Sequence, residues 1–175
     1  APVLRARLAV TAVWTPRRAL AAGLLALAAS AASAQPEPGA AAPDFALPST
    51  AGVNERLSER RGRVVLLAFW SSRCGGCDRH LRALAEFAAA HEDAGAELLV
   101  VSIDRTPAAA RTLAAELGRP VLLDAERDVA DRYRLAPLPV THLIDRHGVL
   151  RTSRREARGP EPARVEASLL ALLEE

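Results

Sequence analysis

Residues 63–77 read RVVLLAFWSSRCGGC. After Arg63 come seven apolar residues, β-branched at the front (Val64, Val65) and aromatic at the back (Phe69, Trp70). A continuous run without alternation suits a strand buried on both faces, in a sheet that helices cover. Cys74-Gly75-Gly76-Cys77 follows at once. From Cys77 to His91 the period changes: Cys77, His80, Leu81, Leu84, Phe87, Ala88 and His91 fall within one arc of a helical wheel. The stretch therefore predicts a buried strand, a turn holding two cysteines, and a helix.

Downstream, Glu97 to Asp104 (ELLVVSID) reads as a second buried strand. A helix is expected over Ala108 to Leu117, closed by Gly118, then a short strand over Pro120 to Leu123 and a short helix over Glu126 to Tyr133. Pro139 to Asp145 (PVTHLID) is a strand. Arg146-His147-Gly148 is a turn, and Val149 to Thr152 returns antiparallel. Glu161 to Leu173 is a closing helix with Val165, Leu169 and Leu172 spaced for packing. Strands alternating with helices give an α/β fold, a central mixed β-sheet flanked by helices on both faces.

Upstream, the chain changes character. Residues 1–34 hold four Arg and no acid, whereas residues 35–175 hold 19 Arg against 21 Asp and Glu, a net charge of −2. The later part has no basic field of the kind that nucleic-acid binding requires, so that class is set aside. Arg5, Arg7, Arg17 and Arg18 precede 18 uncharged residues, and Ala32-Ser33-Ala34 has the form of a cleavage site. Residues 1–34 are expected to be a signal peptide. An uncleaved membrane tether over 17–36 is the competing reading, because 18 residues nearly span a bilayer. Either way the protein is expected to be exported, periplasmic or extracytoplasmic. Residues 35–43 (QPEPGAAAP) are read as a linker and 44–175 as the folded domain. A domain of that size needs no disulfide to fold, which leaves its two cysteines free for chemistry.

Two cysteines separated by two residues can close a disulfide across a first helical turn. The strand-to-helix context favours redox chemistry over a structural role. Cys74 is expected at the helix N-terminus, where unpaired N–H groups and the dipole favour thiolate; Arg73 adds a positive charge if it turns inward. Cys74 is then the nucleophile and Cys77, on the apolar face, the resolving thiol. A structural disulfide and half of a zinc site remain as alternatives. Zinc needs two further ligands and no second C-x-x-C exists. Haem attachment is excluded because Asp78, not His, follows Cys77.

These residues resemble the TlpA/ResA/DsbE-like family of exported thiol–disulfide oxidoreductases of thioredoxin-like fold, over nearly all of residues 42–173. Ala42-Pro43-Asp44-Phe45-Ala46-Leu47 resembles the family's opening APDF-x-L. Leu57-Ser58 through Gly62-Arg63-Val64-Val65 resembles L-S-x-L-x-G-K-x-V, and Phe69-Trp70 with Cys74 and Cys77 resembles FWATWC-x-x-C. Tyr133 and Pro139 to Asp145 resemble Y-x-V…P-T-T-F-L-I-D. The resemblance implies a thioredoxin-like fold with an N-terminal extension and an enzyme that needs no cofactor or metal. It implies a disulfide-containing protein substrate, a membrane or exported thiol as electron donor, and cytochrome c maturation as one family task. It further implies a cis peptide before Pro139, opposite the cysteines, with Trp70, Leu138 and Pro139 meeting the substrate.

The departures from the pattern are specific. Gly75-Gly76 stands where relatives carry a proline, and Arg73 replaces an aromatic. The buried acid of thioredoxin falls at Ala68, and the acid three residues after the second cysteine is His80. His80 is thus expected either to replace the missing carboxylate as proton acceptor or to be a packed helix-face residue. His142 takes a Phe position and is read as a packed strand residue; His147 is read as solvated and His91 as a helix end. Two other functions compete. A peroxiredoxin shares the APDF opening and finds its hydroxyl in Ser71, but Leu67 stands where its proline belongs. A copper-binding module would use Cys74, Cys77 and His142, since soft thiolates suit Cu(I).

Overall fold

The computed structural model describes residues 36–135, 137–155 and 162–175. Two short strands come first, β1 (Ala46–Pro48) and β2 (Asn54–Arg56), then a 3-10 turn over Leu57–Arg60. The main elements follow as β3 (Val64–Trp70), α1 (Cys77–Ala90), β4 (Ala96–Ser102), α2 (Ala108–Leu117), β5 (Val121–Leu123) and α3 (Asp128–Arg132). The chain closes with β6 (Val140–Ile144), β7 (Leu150–Arg155) and α4 (Pro162–Leu173). The expected strands and helices are all present, with ends shifted by a few residues. The expected signal peptide or tether lies outside the described residues.

Five strands form one sheet in the order β5-β4-β3-β6-β7. β3, β4 and β5 are parallel; β6 runs antiparallel to β3, and β7 antiparallel to β6. The sheet is mixed and has the cysteine-bearing strand β3 at its centre. Every residue of β3 is buried, as its unbroken apolar run requires. Alternate residues serve the two faces. Val64, Leu66, Ala68 and Trp70 pack with Leu81 and Leu84 of α1, Leu113 of α2 and Leu169 of α4. Val65, Leu67 and Phe69 pack with Phe45, Leu57, Val129 and Tyr133. Each fully buried Leu, Val or Phe contributes about 1.5–3 kcal/mol through burial. The right-handed crossovers β3-α1-β4 and β4-α2-β5 step the same way along the sheet, so both helices fall on one face.

Two features differ from the sequence reading. The β1–β2 hairpin was not expected. Its strands have three residues each and bury only Leu47 fully, too little for a period to show. The segment read as a linker over 35–43 joins the domain from Gly39 onward. Gly39 N–H donates to the Leu150 carbonyl, Leu150 N–H to the Ala40 carbonyl and Ala42 N–H to the Gly148 carbonyl. This pairing occupies part of the sheet's β7 edge, which would otherwise expose unpaired backbone groups.

Candidate active site

β3 delivers the chain to the cysteines through a turn that a distant carboxylate holds. Ser71 Oγ donates to Asp104 Oδ1 at 2.8 Å, and the Ser72 N–H donates to Asp104 Oδ2 at 2.9 Å. Asp104 follows β4, which pairs with β3 in parallel, so both strands end on the same side of the sheet. The Cys74 N–H then donates to the Ser71 carbonyl at 2.9 Å. Sequence reasoning gave Asp104 no role; the available signal was an acid at the end of a buried strand beside a Ser-Ser turn.

Cys74 and Cys77 are joined by a disulfide with their Cα atoms 5.6 Å apart. Cys77 is completely buried, whereas Cys74 is half-buried and next to solvent-exposed Arg73 and Gly75. α1 begins at Cys77, where the change to helical spacing put it, with Gly76 as its N-cap at φ 90°. That angle excludes proline at this position. A proline is locked near −65° and cannot adopt it, and glycine reaches it without cost. A Cβ added at Gly76 would meet nothing within 4 Å, so the backbone angle, not crowding, calls for glycine. In this disulfide form the positive end of α1 lies three residues past Cys74, the thiol expected at the helix N-terminus. Arg73 points outward.

Trp70, expected to meet substrate, is 4% exposed, and its indole N–H donates to Asp78 Oδ1 at 2.9 Å. The ring braces the junction from the core side. The Leu138–Pro139 peptide is cis. Val140 lies opposite Phe69 in the β3–β6 register, so Leu138 and Pro139 sit at the sheet end that carries the cysteine turn.

His80 is 1% exposed, one helical turn past Cys77, and its Nε2 lies 2.8 Å from Thr141 Oγ1. Thr141 is itself buried and lies opposite Ala68 on β3. The histidine and the hydroxyl thus occupy the side of the sheet where Ala68 brings no carboxylate.

His142 lies on the other side. It pairs with Leu67, and its ring stands 5.8 Å from Phe69 and 5.0 Å from Tyr133, with Nδ1 2.9 Å from Ser153 Oγ. The copper set of Cys74, Cys77 and His142 is therefore not assembled: the sheet stands between the histidine and Cys77. Among the described residues no group of three or more His, Cys, Asp or Glu is placed to hold a metal ion. Tyr133 donates its hydroxyl to the Pro43 carbonyl at 2.8 Å, and burial holds the phenol pKa above its ordinary range. His91 Nδ1 lies 2.9 Å from the Phe87 carbonyl, and His147 is exposed in the β6–β7 turn.

The arrangement can perform thiol–disulfide exchange: one half-exposed sulfur that a partner can reach, and one buried sulfur that only the first can reach. The AhpC/TSA family model matches residues 38–153. The chain is 34% identical over 112 residues to the thiol-disulfide oxidoreductase ResA of Geobacillus kaustophilus, covering 63% of this chain and 64% of that protein. It is 33% identical over 112 residues to ResA of Bacillus subtilis, covering 63% of each. The match thus spans slightly less than two thirds of the length of these relatives. A Chlorobium tepidum crystal structure, assigned as the thiol:disulfide interchange protein DsbE, superposes with a TM-score of 0.73 at 29% identity, over 78% of this chain and 98% of that one. The exposed lipoprotein thioredoxin Etrx1 of Streptococcus pneumoniae gives 0.64 at 26% identity, over 74% and 100%. The central C-x-x-C strand, the helix that follows it and these likenesses together show that the chain belongs to the AhpC/TSA family, in its TlpA/ResA/DsbE-like branch of thioredoxin-like fold.

Proposed function

We propose that this protein is an exported thiol–disulfide oxidoreductase that reduces disulfides in protein substrates. The observation that carries this reading is the asymmetry of the pair, Cys74 half-buried and Cys77 at 0% exposure. In the reduced enzyme the Cys74 thiolate attacks a substrate disulfide, forming a mixed disulfide and releasing one substrate thiolate. Cys77 then loses its proton and attacks Cys74, and the second substrate thiolate leaves with the electron pair. The substrate gains two electrons and the Cys74–Cys77 disulfide is restored. His80, one turn from Cys77, takes the Cys77 proton. Leu138 and Pro139 offer the backbone edge on which an extended substrate strand pairs.

The names of the ResA and DsbE relatives support this chemistry, and the family resemblance makes cytochrome c maturation one candidate task. The basic n-region and Ala32-Ser33-Ala34 support export, with a membrane or exported thiol donor that reduces the pair again. No described helix is long and apolar enough to cross a membrane.

Purified protein, reduced and then freed of reductant, is assayed for insulin-disulfide reduction, peroxide consumption and copper retained through desalting. Insulin reduction that Cys74→Ser abolishes is the expected result. Peroxide consumption faster than insulin reduction, retained in Cys77→Ser, would overturn the reading in favour of a peroxidase.

A further inference from the structure

Gly75 and Gly76 separate the two thiols, and the loop they make is weakly held from within. Both are exposed, and a Cβ added to either would meet nothing within 4 Å. The bond across the loop, from the Cys77 N–H to the Cys74 carbonyl, is long at 3.4 Å. Glycine loses more conformational freedom on ordering than any other residue, and Gly76 at φ 90° leaves no place for a stiffening proline. The loop is held instead from its two ends. On the strand side Asp104 fixes Ser71 and Ser72, and the Ser71 carbonyl accepts the Cys74 N–H. On the helix side Asp78, the residue after Cys77, accepts the Trp70 indole N–H at 2.9 Å. Trp70 is the last residue of β3 and lies at 4% exposure in the core cluster of Leu66, Leu81 and Leu84, so the donor is fixed. The bond therefore ties the end of β3 to the first turn of α1, with both cysteines inside the span.

Resting on the exchange reading above, we propose that Asp78 is a positioning residue for the thiol pair: through Trp70 it keeps Cys77 within reach of Cys74 when the disulfide is open. In the oxidised enzyme the disulfide itself joins the two sides of the loop. In the reduced enzyme no covalent bond does so, and how often the sulfurs meet depends on how firmly the ends of the loop are kept. Without the tie the reduced pair gains freedom that the oxidised pair lacks, and the disulfide forms less readily. The Asp78 carboxylate also meets the positive end of the α1 dipole. The two effects need different things. The dipole acts on the charge, whereas the tie needs only an acceptor oxygen, which asparagine also carries.

The test equilibrates the full chain with mixtures of glutathione and glutathione disulfide. As the Cys74–Cys77 disulfide forms, the two thiols lose two electrons and two protons, and one glutathione disulfide takes them up to give two glutathione molecules. Alkylation of the remaining thiols reads the equilibrium constant. Asp78→Ala is expected to lower that constant about 3- to 10-fold, the scale of one hydrogen bond. Asp78→Asn, which keeps the acceptor and loses the charge, is expected to restore it. Trp70→Phe, which removes the donor, should lower the constant as Asp78→Ala does, and the double variant should lower it no further. A merely structural residue would weaken the reduced and oxidised forms equally and leave the constant unchanged. An unaltered constant in Asp78→Ala overturns the assignment. So does a loss in Asp78→Asn as large as in Asp78→Ala, or losses that add in the double variant. A wild-type pair that does not equilibrate with glutathione disulfide overturns the exchange reading itself.

Discussion

His80 and His142 are alike by every local measure. Both are buried, at 1% and 3% exposure, and each places a ring nitrogen within 2.9 Å of a hydroxyl oxygen, Thr141 and Ser153 respectively. They differ in the face of the sheet they share. His80 comes from α1 onto the face of Ala68 and Cys77. His142 stands on the face of Leu67, Phe69 and Tyr133. Burial and hydrogen bonding alone therefore do not set the two histidines apart; what does is that His80 shares the face of Cys77. The disulfide face is expected to carry the chemistry, and the aromatic face to carry stability.

The strongest way to break this division is a matched pair of changes. Cys74→Ser is expected to abolish disulfide exchange completely while leaving the thermal midpoint of the reduced protein nearly unchanged. Phe69→Leu, on the His142 face, is expected to cost about 1–2 kcal/mol of stability, with exchange per folded molecule unaltered. Denaturant titration and insulin reduction on both variants decide it. Loss of exchange in folded Phe69→Leu would show that the faces are not separate.

The two histidines give the next contrast. His80→Ala is expected to slow resolution by about 10- to 100-fold and to leave the attack by Cys74 much less affected. His80→Glu, the residue type of relatives, should recover much of the rate. His142→Ala is expected to change neither step but to lose about 1–3 kcal/mol, through lost ring packing and a lost hydrogen bond. Stopped-flow measurement of both steps, with denaturant titration alongside, reads both rates and the stability. A slow resolving step in His142→Ala would remove the contrast.

The smallest effect separates the pH dependence of exchange from that of the fold. Asp145, at the far end of β6, is buried enough to disfavour its charge. The Val149 N–H, the Arg151 guanidinium and the His147 N–H outweigh that and hold its pKa below the ordinary aspartate range. Because the folded pKa lies below the unfolded one, Asp145 contributes stability that is fully present above about pH 4. That contribution is lost as pH falls through the lower folded value. Asp145→Asn is expected to cost about 1 kcal/mol at neutral pH and to flatten the acid loss, with both exchange steps unchanged. Stability measured between pH 2 and 7 checks this, and an acid slope identical to wild type would count against it.

The chemistry-bearing stretch was legible because its signals are local. Seven apolar residues, a C-x-x-C and a change to helical spacing lie within about thirty positions, and each needs only its neighbours to be read. The same holds for the expected strand at Pro139 to Asp145 and for the later helices. What the sequence alone left open depends on partners far along the chain. Asp104 holds the Ser71–Ser72 turn across 32 to 33 residues, and Gly39 to Ala42 pair with Gly148 to Leu150 across more than a hundred. That Cys74 stands three residues before α1 depended on Gly76 taking a positive φ, a state open to glycine but not imposed by it. Thr141 and His142 must point to opposite sides, since neighbours in a strand always do. Which of them faces the cysteines was decided by the β3–β6 register, Ala68 with Thr141 and Leu67 with His142. A slip of one residue would exchange the two faces, and strands some seventy residues apart settle their register only when the whole sheet packs.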